Sequence, residues 1–129
     1  MRVAIVEDEF LVAAHLEAML ADLGYEAAGI ASDRAQAKIL IEGKPDIALV
    51  DLNLRDGPTG QEIGQSFGAA GIAVVFLTGN PHDIVPPIPG AIGKMGKPCD
   101  DACVEEVLSY VCDLKSGRAG ERPKGLMPL

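Results

Sequence analysis

"IALVDLNLRDG", residues 47–57, opens with four apolar residues and then reaches a carboxylate, Asp51. A short, continuous apolar run reads as a strand covered on both faces, as in a parallel sheet. An acid at the end of such a strand admits four readings: a solvated strand end, a cap, a metal ligand or a nucleophile. One aspartate does not separate them, so the neighbouring segments decide.

Outward from this stretch, "RVAIV" (2–6) and "IAVVFL" (72–77) repeat the pattern, and "YEAAGIA" (25–31) is a weaker strand after Gly24. A last strand is expected near Ala91 to Met95. Helical periods fill the gaps. Val12, Leu16, Met19, Leu20 and Leu23 form one stripe within 9–23, and Ser32 or Asp33 can cap a second helix running to Gly43. A third helix starts near Thr59 with Ile63 and Phe67 inward, and Cys103, Val107, Tyr110 and Leu114 mark a helix from Asp100 or Asp101 to Lys115. Parallel strands need helical crossovers, so the alternation predicts a doubly wound α/β sheet.

One crossover breaks the pattern. "NPHDIVPPIPG" (80–90) holds Pro81, Pro86, Pro87 and Pro89 where a fourth helix is due. A proline inside a helix costs about 3 kcal/mol, so that helix is expected to be shortened or replaced by a proline-rich loop. Residues 116–129 lack periodicity and are expected to be a flexible tail after a folded domain spanning 1–115.

Bulk properties narrow the function. The 129 residues fit one domain, and 48% hydrophobic with 23% charged residues is ordinary for a globular chain. A formal charge of −8 argues against direct nucleic-acid binding, which needs cations for phosphates. No apolar run reaches the roughly 20 residues of a membrane span, and the N-terminus lacks a signal-peptide pattern. Three cysteines, an odd number, fit a reducing cytoplasm.

In doubly wound sheets ligands bind beyond the carboxyl ends of the strands. Those ends carry Glu7 and Asp8, Asp51, Thr78 and, after a short connection, Lys97. Three carboxylates in one cleft repel one another, and at least one pKa should rise without a partner. Mg2+ resolves such repulsion through oxygen ligands. A carboxylate beside the metal can attack phosphorus, while an ammonium and a hydroxyl take up phosphoryl oxygens.

"AIVEDEF", "ALVDLNLRDG", "VVFLTGN" and "GKP" resemble, in order and spacing, the signature segments of two-component response-regulator receiver domains. The resemblance covers residues 1 to about 115. It implies a flavodoxin-like five-stranded parallel sheet of order 2-1-3-4-5, here in a stand-alone signalling domain rather than an enzyme. Asp51 would be the phosphoacceptor, with limited self-catalysed phosphorylation and dephosphorylation there. Mg2+ would be held by Asp8, by Asp51, by Glu7 through water and by the carbonyl of Asn53. Thr78 would sense the phosphoryl group and Lys97 would pair with it. Lys97–Pro98 would be cis, Gly79 would leave room for the donor, and Asn53 and Asn80 would tune the lifetime of the acyl phosphate. A histidine kinase or histidine phosphotransfer protein would be the donor, and a protein target would read the output. The chain departs from the pattern at Lys94, where an aromatic switch residue is usual, at Arg55, where proline is common, and at Gly60, one residue later than usual.

Other features fit bland roles. Cys99, Cys103 and Cys112 lack a second ligand pair and read as packing residues, and His15 and His82 have no acid or nucleophile at a telling spacing. Two further functions compete: a receiver-fold binding module that acts without phosphorylation, and a flavodoxin-like enzyme. Against the enzyme, strand one is followed by acidic "EDEF" and not by a glycine-rich cradle.

Overall fold

The computed structural model describes residues 1–54, 59–80, 82 and 85–129. Arg55 and Pro81 lie outside the described residues. The elements are β1 (Arg2–Val6), α1 (Phe10–Asp22), β2 (Glu26–Ala31), α2 (Arg34–Glu42), β3 (Ile47–Asp51), α3 (Thr59–Ala69), β4 (Ala73–Thr78), β5 (Ala91–Gly96), α4 (Asp101–Lys115) and β6 (Leu126–Met127). They form one sheet of order β2-β1-β3-β4-β5-β6, parallel from β2 to β5, with β6 antiparallel at the edge. The expected order 2-1-3-4-5 is present, with one strand added.

The continuous apolar runs are continuous because both faces are covered. Every residue of β3 is buried, and β1 is buried from Val3 to Val6. Alternate residues feed two cores. Val3, Ile5, Leu49, Val75 and Met95 pack with Leu16, Leu20, Val104, Val107 and Leu108 of α1 and α4. Ala4, Val6, Val50, Val74 and Phe76 pack with Ala37 of α2 and with Ile63 and Phe67 of α3. Local chemistry sets the helix starts. Asp33, not Ser32, caps α2 through the Gln36 N–H at 2.9 Å, and Asp100 caps α4 through the Cys103 N–H at 2.8 Å. Gly24, at φ 85°, takes the left-handed conformation just after α1.

Two expectations are adjusted, and one, a loop in place of a helix between β4 and β5, holds among the described residues. The buried stripe of α4 is Val104, Val107, Leu108 and Val111, while Leu114 is 40% exposed. That is a slight rotation about the helix axis from the stripe expected through Cys103, Tyr110 and Leu114. Between β4 and β5 the described residues hold no helix, and Val85 and Ile88 turn into the second core. Residues 116–129, expected without regular structure, contribute β6, whose Leu126 is 2% exposed. A two-residue strand is too short for a period to announce it.

Candidate phosphoacceptor site

β1, β3 and β4 end in register, so Glu7, Asp51 and Thr78 reach the same rim. Backbone hydrogen bonds fix these ends: the Glu7 N–H donates to Ala31 O at 2.9 Å and the Leu52 N–H to Leu77 O at 2.9 Å. Lys97 follows β5, its own N–H held by Thr78 O at 2.7 Å. The Lys97–Pro98 bond is cis.

At the centre the Lys97 Nζ donates to Asp51 Oδ2 at 2.9 Å and to Glu7 Oε2 at 3.2 Å. Both acids are buried, with Glu7 1% and Asp51 2% exposed. Asp8 joins them: one carboxylate oxygen from each of Glu7, Asp8 and Asp51 lies within 4.8 Å of the others. No other group of three potential metal ligands occurs among the described residues. The remaining Asp51 oxygen, Oδ1, accepts from the Asn53 N–H at 2.9 Å.

Electrostatics divides the two buried acids. Burial, then the hydrogen bond and charge of Asp51, push the Glu7 carboxyl up to about 7. Burial would raise Asp51 too, but hydrogen bonds from Glu7, Lys97 and the Asn53 amide outweigh it and hold Asp51 below its ordinary value. Burial likewise disfavours the charge on Lys97, and the hydrogen bond and charge of Asp51, with those of Glu7, override it and raise its pKa. The resting site is therefore an ionised Asp51 clamped to an ammonium, with Glu7 poised to share a proton.

The other residues singled out from sequence stand around this triad. Thr78 is fully buried. Its hydroxyl donates to Asn80 O at 3.0 Å and accepts from the Asn80 N–H at 3.1 Å and from Asn53 Nδ2 at 3.4 Å. Asn53 itself is exposed, so it bridges the rim from outside. Gly79 adds no side chain at this point, and nothing lies within 4 Å of where its Cβ would be. Reasoning from strand ends did not assign Glu7 as a partner of Lys97, because two adjacent acids follow β1 and the sequence does not say which of them is buried against the lysine. Beside Lys97 opens an apolar groove of 460 Å³ lined by Leu11, Leu16, Leu77 and Pro98, and Phe10 and Leu11 are each 81% exposed next to it. A larger, 760 Å³ groove between α4 and residues 120–124 is lined by none of the site residues. His15 and His82 are exposed, and the three cysteines are free thiols.

No family model matches the chain. It is 34% identical over 113 residues to the phyllosphere-induced regulator PhyR of Methylorubrum extorquens, covering 83% of this chain and 42% of that protein. The anti-anti-sigma factor PhyR from Bartonella quintana is similar in structure, with a TM-score of 0.80 and 29% identity over 90% of this chain and 49% of that one. The chain thus spans less than half the length of these two relatives. The receiver (REC) domain of the Erythrobacter litoralis PhyR response regulator matches nearly end to end, with a TM-score of 0.75, 27% identity and 95% coverage of both chains.

Proposed function

We propose that the chain is a response-regulator receiver domain, a reading its likeness to PhyR and to a PhyR receiver domain supports, and that Asp51 accepts a phosphoryl group from a phosphohistidine of a histidine kinase or phosphotransfer protein. One observation carries the reading: a buried, ionised Asp51 has its carboxylate held by Lys97 while Glu7 and Asp8 crowd the same rim. In the transfer, an Asp51 oxygen attacks phosphorus, the phosphorus–nitrogen bond to the donor breaks, and the imidazole leaves with its electron pair and takes a proton. Lys97 is placed to follow the charge onto the phosphoryl oxygens, and Thr78 can turn its hydroxyl from Asn80 toward them. The apolar groove beside Lys97, flanked by Phe10 and Leu11, supports docking of the donor there.

The donor set suits Mg2+. Glu7, Asp8, Asp51 and the Asn53 carbonyl offer only hard oxygens, and the three carboxylates stand close enough for one divalent cation to relieve their mutual repulsion. When bound, the ion would neutralise negative charge on the phosphoryl oxygens. Orientation and the ammonium come from the chain.

Incubation with Mg2+ and acetyl phosphate should give a hydroxylamine-labile phosphoryl adduct by intact mass, absent in Asp51→Asn. No adduct with small donors or a cognate kinase would overturn the proposal. A second reading, a binding module indifferent to phosphorylation, is favoured by Lys94, which is buried, pairs with Met127 of β6 and stands where the family usually carries an aromatic switch residue. It requires Asp51→Asn to bind the protein target as the wild type does.

A further inference from the structure

β6 is a small element in a constructed seat. It pairs with β5 at two positions, Lys94 with Met127 and Met95 with Leu126. Residues 116–122, which lead to it, are exposed. Yet Leu126 is 2% exposed and belongs to the same core as Met95, Val104 and Val107.

Two missing side chains make room for it. A Cβ on Gly93 would stand 2.6 Å from Met127 O and 2.9 Å from Leu126 Cδ1. A Cβ on Gly125 would stand 2.6 Å from Cys103 Sγ. The β5 edge is therefore shaped to let another backbone cross it closely.

The crossing strand stops early for a chemical reason. Pro128 has no N–H and cannot extend the ladder toward Gly93 and Ile92. Beside it lies a 270 Å³ cavity whose lining is apolar apart from Arg122, with Val85, Ile88, Ala91, Ile92 and Leu129 among its walls. Half of the β5 edge is thus paired by the chain's own segment, while the other half faces an apolar cavity. An unpaired strand edge next to an apolar cavity is a template for a further strand.

We infer that the β5 edge is a strand-accepting surface, that residues 126–129 are its built-in competitor, and that its occupant is an extended, proline-free apolar segment of a partner protein. Such a segment pairs with Met95 and Lys94 as β6 does, places a large aliphatic side chain in the seat of Leu126, and continues along Gly93, Ile92 and Ala91. The added ladder bonds and the filled cavity are what the resident segment lacks. β6, with two pairs, opens locally without unfolding the sheet.

The test uses the full chain and a labelled six-residue peptide with the sequence of residues 124–129 carrying Pro128→Val, which leaves it free of proline. Hydrogen exchange in the wild type should show the amides of the β5–β6 pairs opening before those of β1, β3 and β4. The peptide should bind Leu126→Ala at least tenfold more tightly than wild type, and the unmodified Pro128 peptide should bind more weakly than the valine peptide. Gly93→Ala should abolish binding of both peptides. Should Leu126→Ala weaken the whole sheet, Met127→Pro releases the segment without touching the core and must give the same gain. Binding that ignores these changes, no binding to either released variant, or β5–β6 amides protected as strongly as those of β3 overturns the inference.

Discussion

Among the described residues, the Lys97 ammonium is the cation that faces the two buried carboxylates of the rim, at 2.9 and 3.2 Å. Removing it leaves acceptors buried without their donor, the expensive half of any hydrogen bond. Lys97→Met is expected to lower the stability of the metal-free protein by about 1–3 kcal/mol, read from urea unfolding, while leaving the secondary structure intact. Two residues on, the Cys99 thiol donates to Gly96 O at 3.1 Å, and burial, aided by Cys103, pushes its pKa up to about 11 against the pull of Lys97. Well below pH 9 folded and unfolded chains both hold that proton, so the thiol adds nothing to pH dependence there. Between pH 9 and 11 the unfolded chain releases it first, and stability falls as pH rises. At pH 8.5 native Cys99 should alkylate with iodoacetamide at least about tenfold more slowly than in the urea-unfolded chain, by peptide mapping. Equal rates would show the thiol to be open to solvent.

At the scale of elements, caps and periods explain what the chain discloses about itself. Asp100 announces α4 by position and confirms it by bonding the Cys103 amide. Asp100→Ala should cost about 1 kcal/mol and Asp100→Asn only a few tenths, measured as a shift in denaturant midpoint with unchanged slope. The strands were legible because a buried parallel strand must be apolar at every buried position, a demand that "VAIV" (3–6) and "IALV" meet openly. The face of α4 was less so. Cys103 and Tyr110 are half-buried at the margin of the stripe, and the core-facing row runs through Val104, Leu108 and Val111. An amphipathic count locates a helix more firmly than its rotation, because boundary residues are ambivalent in polarity. β6 left no trace, since two residues carry no period and the seat of Leu126 depends on Gly93 in another strand. The convergence of acids and lysine could be read from the strand ends, but the choice of Glu7 as a second partner for Lys97 depends on the pleat and on burial.

For the molecule as a whole, the acidic rim links metal, fold and site. A cation that binds only the folded cluster adds stability by mass action, about 2.7 kcal/mol at one hundred times its dissociation constant. Mg2+ should therefore raise the melting temperature of the wild type, and Asp8→Ala should remove that rise. A rise that survives in Asp8→Ala would place the ion elsewhere. Size and composition declared one α/β domain, and no helix among the described residues is long and apolar enough to cross a membrane. The hydrogen bonds at the centre of the rim join residues 90 and 46 positions apart, Lys97 to Glu7 and Lys97 to Asp51. Contacts so distant in the chain close late in folding, after the loops between them have been ordered. A nascent chain thus carries its acids for most of synthesis without their counter-charge, and acquires a competent rim only once β5 has joined the sheet. Under the proposed function, Asp51 would then answer a donor only in a chain that has finished folding, and a half-made or misfolded copy would stay silent.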